Sequence, residues 1–302
     1  MKIDFYCFPT KTGNLSVFRD LKQYIDREER FYYQCTQEDV FRALERGKLL
    51  LFDLRNNTFL SEHGKEVDIT GKVIFPRSTI ADAKLLLNAI EEKGGCSIMK
   101  LEDYDEVEYW FKKVQTNRKY KLTTLVELAK NLDQYCEEFG NEMFIKTVFK
   151  GFSGLCYILS VGDIVTYISD AVNMRGEISN GKILVDSINV SVSSSIKDPN
   201  AEILVYKPVN IVMDNFGRRE WRAFVVNNEL LSLSRCSDEQ VPVEKYVYNM
   251  VRSLIAEVKG KMPASYVMDV FEYYEGDQII FDILEFNPII SSGVYRNNDL
   301  VF

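Results

Sequence analysis

Histidine is almost missing from this chain: one in 302 residues, His63, set in the polar turn "SEHGKE". A Ser-His-Asp triad or a histidine-built zinc site is thereby strongly disfavoured, and a solvated loop is the expected place for that imidazole. Cysteine is sparse and scattered, at positions 7, 35, 96, 136, 156 and 236, with no CxxC pair. Reduced thiols are expected rather than a disulfide framework or a cysteine cage for zinc. No apolar run approaches the length of a membrane span. The opening "MKIDFYCFPT" lacks a long hydrophobic core and a small-residue cleavage site, so it reads as a first strand rather than a signal peptide. Positive charge is in deficit: 37 Lys and Arg against 45 Asp and Glu give a net charge of −8, which disfavours a nucleic-acid partner. There is no internal repeat, no low-complexity tract and no GxxxxGK[ST] loop. What is expected is a cytoplasmic protein without a membrane segment, whose chemistry falls to carboxylates, Lys, Arg, Asn and backbone groups.

What is there is a chain 46% hydrophobic, enough for a large core. The first hundred residues alternate short apolar runs ("KIDFYCF", "KLLLFDL", "KVIFPR") with amphipathic stretches. "TQEDVFRALERG" predicts a helix capped by Thr36 and stopped by Gly47, and "STIADAKLLLNAIEEKGG" a second one ended by Gly94-Gly95. Strands alternating with helices predict an α/β layer with parallel pairing. "DYDEVEYWFKKV" reads as a third helix and "QTNRKYK" as a polar turn. A boundary near residue 120 then divides an N-terminal domain, 1–120, from a second domain, 121–302. The second domain predicts a helix over "LTTLVELAKNLDQYCEEFG", a strand–loop–strand over "EMFIKTVFKGFSGLCYIL", a hairpin near Asn180-Gly181, a long strand "AEILVYKPVNIVM", and hairpins turning at Asn227-Asn228 and Gly276-Asp277. Between those hairpins "VEKYVYNMVRSLIAEVKGKMP" predicts an amphipathic helix. This is an α+β (mixed α/β) pattern.

Three groups stand out for chemistry. Lys146 ends an apolar strand, where a lysine is costly unless it meets an anion. Lys150 leads into "GFSG", whose small residues let backbone N–H groups approach phosphate, although an exposed turn lysine is the plainer reading. In "REWRAFVVNNELLSLSR", Glu220 and Arg222 share a strand face, and Arg235 ends the returning strand. Two arginines facing one groove would clamp phosphate or carboxylate; taken alone they read equally well as surface arginines paired to acids. In "YVMDVFE" and "FDILEFNP", Asp269 lies on one strand of a hairpin, while Glu285 and Asn287 on the other point the same way, with Phe286 opposite. Carboxylate and amide oxygens suit a hard ion such as Mg²⁺. A turn role for Asn287-Pro288 is the bland alternative.

The order lysine, arginine hairpin, acid-x-Asn resembles the ATP-grasp superfamily over roughly residues 100–302. "EWRAFV…LLSLSR" and "DVFE…ILEFNP" are also similar to the cell division cycle protein 123 family and to a bacterial and phage clade marked by Arg and Lys positions. The resemblance implies an N-terminal α/β pre-grasp domain followed by a two-lobed ATP-grasp fold with Mg-ATP held between the lobes. It implies that Lys146, with Lys150 near it, contacts the nucleotide. Glu202, Val205, Tyr206 and Lys207 would line the adenine cleft, with backbone groups of Val205 or Tyr206 pairing to the base. Lys112 or Lys113 would be a further phosphate lysine, and Asp214 or Glu220 the ribose partner. Arg222 and Arg235 would hold the triphosphate or an acyl phosphate, and Asp269, Glu285 and Asn287 would bind Mg²⁺. Two functions follow. One is a carboxylate–amine ligase acting on a small molecule or peptide, its acceptor pocket drawing on Arg175, Arg235 and Arg296. The other is an ATP-binding assembly chaperone with a protein partner and little turnover.

Overall fold

The structure, a computed structural model, describes residues 2–10, 43, 45–78, 80–148, 156–160, 202–237 and 241–292. In chain order the strands are β1 Phe5–Thr10, β2 Leu49–Asp53, β3 Thr58–Leu60, β4 Val73–Pro76, β5 Cys96–Ser97, β6 Tyr120–Thr124, β7 Glu142–Thr147, β8 Cys156–Ser160, β9 Glu202–Tyr206, β10 Asn210–Ile211, β11 Met213–Asp214, β12 Gly217–Arg218, β13 Glu220–Val226, β14 Glu229–Arg235, β15 Tyr266–Glu275 and β16 Gln278–Asn287. The helices are α1 Ile80–Glu92, α2 Leu101–Glu108, α3 Leu125–Lys130, α4 Leu132–Phe139 and α5 Lys245–Val258, with a 3₁₀ turn at Trp110–Lys112. The class is mixed α/β. The chain forms two compact units: Met1–Gln115 with Ile211–Glu272 and Ile283–Phe302, and Thr116–Asn210 with Tyr273–Asp282.

Among the described residues, the first unit holds two larger sheets and the two-stranded sheet β11-β12. One has the order β3-β2-β1-β4-β5, with β1 parallel to both β2 and β4. Every residue of β2 is buried, as expected of a strand in a parallel sheet covered on both faces. The other has the order β10-β15-β13-β14, with β16 paired to β15. Its hairpins turn where the sequence places them: Asn227 and Asn228 take φ 53° and 61°, and Gly276 takes φ 60°. Helix α5 buries Val247, Val251, Ile255 and Val258, a stripe at helical spacing, and Gly260 follows with φ 80°. The 3₁₀ turn packs on the second sheet: the Trp110 ring lies 5.5 Å from that of Phe286, which in turn packs edge-on to Tyr266.

The second unit holds the sheet β6-β9-β7-β8, antiparallel in every pair. Here the structure departs from the sequence reading. Residues 122–124, expected to start a helix, and the end of the expected turn, 120–121, form instead a strand paired Tyr120 to Tyr206 and Thr124 to Glu202. The helix begins only after Thr124, whose hydroxyl accepts from the Glu127 N–H at 3.2 Å. It also breaks at Asn131 into two pieces. The long strand expected over 201–213 ends at Tyr206, before Lys207 and Pro208, since proline has no N–H to offer a ladder. The helix opened by Thr36, apart from Ala43 and Glu45, and the hairpin at Asn180-Gly181 lie outside the described residues, as do Lys150, Arg175 and Arg296. His63 is exposed, 3.5 Å from Glu62. Among the described residues, no helix is long and apolar enough to cross a membrane.

Candidate functional site

Strand β13 is the axis of the site. Antiparallel pairing sets Arg222 opposite Asp269 on one side and Ser234 on the other, and sets Trp221 opposite Val270 and Arg235. Directly opposed residues share a sheet face. One face therefore carries Glu220, Arg222 and Asp269; the other carries Trp221 and Arg235. This corrects the expectation that Arg222 and Arg235 face one groove. Counting back from the Asn227-Asn228 turn pairs Val226 with Glu229 and would bring Arg235 opposite Glu220. A bulge between Phe224 and Val225 adds one residue on β14, so Arg235 meets Trp221 instead. One extra residue turns every later side chain to the other face.

On the first face, Arg222 grips Asp269 with two parallel bonds, Nε to Oδ1 and Nη2 to Oδ2, each 2.7 Å. Asp269 is only 1% exposed. The Asn287 amide nitrogen donates to Asp269 Oδ2 and to Glu285 Oε1, both at 3.0 Å. Glu285 and Asn287 thus lie side by side at the end of β16. Glu220 completes the group. Burial, then the charges of Asp269 and Glu285, push its carboxyl up to about 7, against the pull of Arg222 and Arg218. Among the described residues, the arginines that act on Glu220 in this group of three carboxylates are Arg222, which is engaged by Asp269, and the exposed Arg218.

That concentration of carboxylates is the test of whether a magnesium ion fits. A hard divalent cation needs oxygen donors, and it would remove the repulsion that raises Glu220. Among the described residues no three His, Cys, Asp or Glu side chains converge closely enough to cage a metal by themselves. Magnesium does not require such a cage, since it commonly uses one or two carboxylates together with substrate phosphates. The residues fit the ion: Glu285, Asp269 and the amide oxygen of Asn287 would supply its protein oxygens.

The opposite face of β13 carries a different network. Arg235 is 1% exposed and donates from Nε to the Arg218 carbonyl at 2.8 Å and from Nη2 to Asp214 Oδ1 at 2.9 Å. Arg219 bonds Glu272 at 2.5 Å, Asp214 at 3.1 Å and Glu244 at 3.0 Å, and the Tyr246 hydroxyl joins Arg219 to Glu272. Both guanidinium groups stack on Trp221. Burial works against the Asp214 charge, but the Phe216 N–H, Arg235 and Arg219 hold its carboxyl below the usual range. Asp214 is therefore held between two arginines.

In the second unit, Lys146 on β7 stands opposite Cys156 and Leu204. Val205 sits between Lys121 of β6 and Ile145 of β7, inside ladders on both sides. Its backbone is engaged with neighbouring strands, which corrects the reading of Val205 as a partner for the base. The ladder ends at Tyr206, and Glu202 and Lys207 at either end are exposed. The sequence reading passed over Arg118 as part of a turn. It is 8% exposed, lies 4.8 Å over the Tyr206 ring, and its backbone N–H donates to Asp282 at 3.2 Å. The signal was an arginine directly before an alternating run. Lys112 lies over the Tyr109 ring at 4.5 Å and Lys113 bonds Glu106 at 2.7 Å, so both are tied locally.

Residues 174–302 match the sequence model of the ATP-grasp domain, R2K clade family 2, a span that includes Glu220, Arg222, Asp269, Glu285 and Asn287. The solved structure of D-cycloserine synthetase DcsG superposes with a TM-score of 0.51 at 10% identity, over 99% of this chain and 94% of that one. The chain has the ATP-grasp fold. A RimK domain ATP-grasp protein from Sphaerobacter thermophilus DSM 20745 agrees, with a TM-score of 0.50 at 12% identity over 94% of this chain and 91% of the other. C-terminally truncated Cdc123 from Schizosaccharomyces pombe matches with a TM-score of 0.38 at 13% identity over 68% of this ATP-grasp chain and 90% of that one, too loose a likeness to argue from. No curated protein sequence matches the chain.

Proposed function

We propose that the chain is an ATP-dependent ligase that joins a carboxylate to an amine through an acyl phosphate. The observation that carries this reading is the Glu220–Asp269–Glu285 cluster, in which Arg222 forks Asp269 and the Asn287 amide bridges Asp269 to Glu285. The terminal phosphoryl group of ATP passes to a carboxylate oxygen of the substrate and ADP leaves. The amine nitrogen then attacks the acyl carbon, the amide forms, phosphate departs, and the amine gives up its proton. Bound magnesium supplies charge neutralisation for the nucleotide's phosphates. Glu285 and Asn287 would present oxygens to that ion, and Asp269 fixes the Arg222 fork in one orientation. No protein nucleophile is needed, in keeping with a chain nearly devoid of histidine. Lys146, Tyr206 and Lys207 are proposed as contributors to nucleotide affinity, and a small-molecule or peptide carboxylate as the substrate.

The test is release of ADP and phosphate in the presence of pooled amino acids or short peptides, with and without EDTA. Stimulation by one pool that disappears with EDTA is the expected result. Nucleotide binding that never leads to turnover with any pool would refute the ligase reading and favour the assembly-chaperone role.

A further inference from the structure

We infer that Arg77, outside the region matched by the family model, is a positioning residue for the Glu285–Asn287 pair; this rests on the proposed metal and nucleotide role of that pair. Arg77 follows β4, at the carboxyl end of the parallel sheet, and is 1% exposed. A guanidinium so deeply buried must spend its donors on fixed acceptors. Its Nη1 donates to the Ile289 carbonyl at 2.7 Å and its Nη2 to the Ser292 carbonyl at 2.6 Å. The next residue repeats the contact: the Ser78 N–H donates to the Ile290 carbonyl at 2.9 Å. The turn closes on itself as well, with the Ser292 hydroxyl and the Ser291 N–H both donating to the Pro288 carbonyl, at 2.7 and 3.3 Å.

The carbonyls of Pro288, Ile289, Ile290 and Ser292 are thus all engaged, three of them by Arg77 and Ser78. This turn starts one residue after Asn287. The side chains of Ile289 and Ile290 are completely buried, so the segment is held by packing as well as by hydrogen bonds. Arg77 also lies 5.9 Å from the centre of the Phe224 ring. Phe224 is two residues beyond Arg222 on β13, hence on the same sheet face. Arg77 therefore touches both strands that carry the site: β13 through Phe224, and β16 through the turn that ends it. Freeing the turn removes the backbone anchor beneath the Asn287 amide and the neighbouring carboxylate, and leaves their direction to side-chain bonds such as those of Asn287 with Asp269 and Glu285. Groups that orient metal ligands without touching the metal typically account for about ten- to a hundredfold in metal affinity.

The experiment measures the magnesium concentration needed for half of the thermal shift induced by the ATP analogue AMPPNP, in the full chain. Arg77→Met keeps the apolar stem and removes the donors; Arg77→Lys returns a charge without the planar fork. The expected result is a magnesium requirement raised about ten- to a hundredfold in Arg77→Met and partly restored in Arg77→Lys. A merely structural arginine would lower the melting temperature and leave that requirement alone. A folded Arg77→Met with the wild-type requirement overturns the inference. If Arg77→Met does not fold, Ser292→Ala decides, because it loosens the same turn from its other side: a raised requirement supports the inference and an unchanged one overturns it. A wild-type protein with no magnesium-dependent shift refutes the metal role itself, and the positioning role with it.

Discussion

Replacing Glu220 by glutamine should make the ligand-free protein more stable at mildly alkaline pH and less responsive to magnesium and nucleotide. The Glu220 carboxyl is raised from 4.5 to about 7, chiefly by burial and then by Asp269 and Glu285. The folded state thus binds this proton more tightly than the unfolded state does, so stability falls as pH rises from about 4.5 to about 7 and stays low above that window. At about 1.4 kcal/mol per pH unit, the full penalty is about 3 kcal/mol near pH 8 and under about 1 kcal/mol near pH 5. Glu220 is only half-buried and its neighbours relax when it ionises, so about half of that is expected in a measurement. With an unfolding entropy of roughly 0.6 kcal/mol/K for a chain of this length, about 1.5 kcal/mol corresponds to a gain of about 2–3 °C in Tm near pH 8. Thermal melts of Glu220→Gln and wild type at the two pH values, with and without magnesium plus AMPPNP, make the measurement. The reasoning fails if the variant gains nothing at the higher pH, or gains equally at both. The metal assignment fails if the variant, once stabilised, still shows the full ligand-induced shift.

Glu285→Ala and Asn287→Ala should each abolish the magnesium-dependent nucleotide shift in Tm while leaving the ligand-free melt within about 2 °C of wild type, since neither carries a large buried apolar surface. Arg219→Met should do the reverse. It strands Glu272 in a buried position and costs about 3–5 kcal/mol of stability, read by denaturant titration, yet leaves the magnesium requirement where it was.

Much of this was legible in the sequence, for identifiable reasons. The hairpin 266–287 announces itself by alternation around Gly276-Asp277, and Glu285 and Asn287 share a face because strand periodicity says so. Helix α5 follows from Val247, Val251, Ile255 and Val258 at helical spacing. Residues 120–124 were misread because their partner strand lies some eighty positions away, at Glu202–Tyr206, and long-range pairing overrides local propensity. The face of Arg235 was misread because a bulge leaves no mark in composition. Arg77 was invisible for a related cause: its acceptors are backbone carbonyls, which every residue possesses, so no motif betrays them.

The bonds from Arg77 to Ile289 and Ser292 join positions 212 and 215 apart. At about 5–20 residues per second, a ribosome leaves Arg77 waiting about 10–40 s for its acceptors. During that interval the buried guanidinium has nowhere to go but water, and the apolar surface around it stays unsealed. The first unit of this protein is therefore assembled from segments that are synthesised far apart in time, and the nascent chain depends on whatever shields it until β16 emerges.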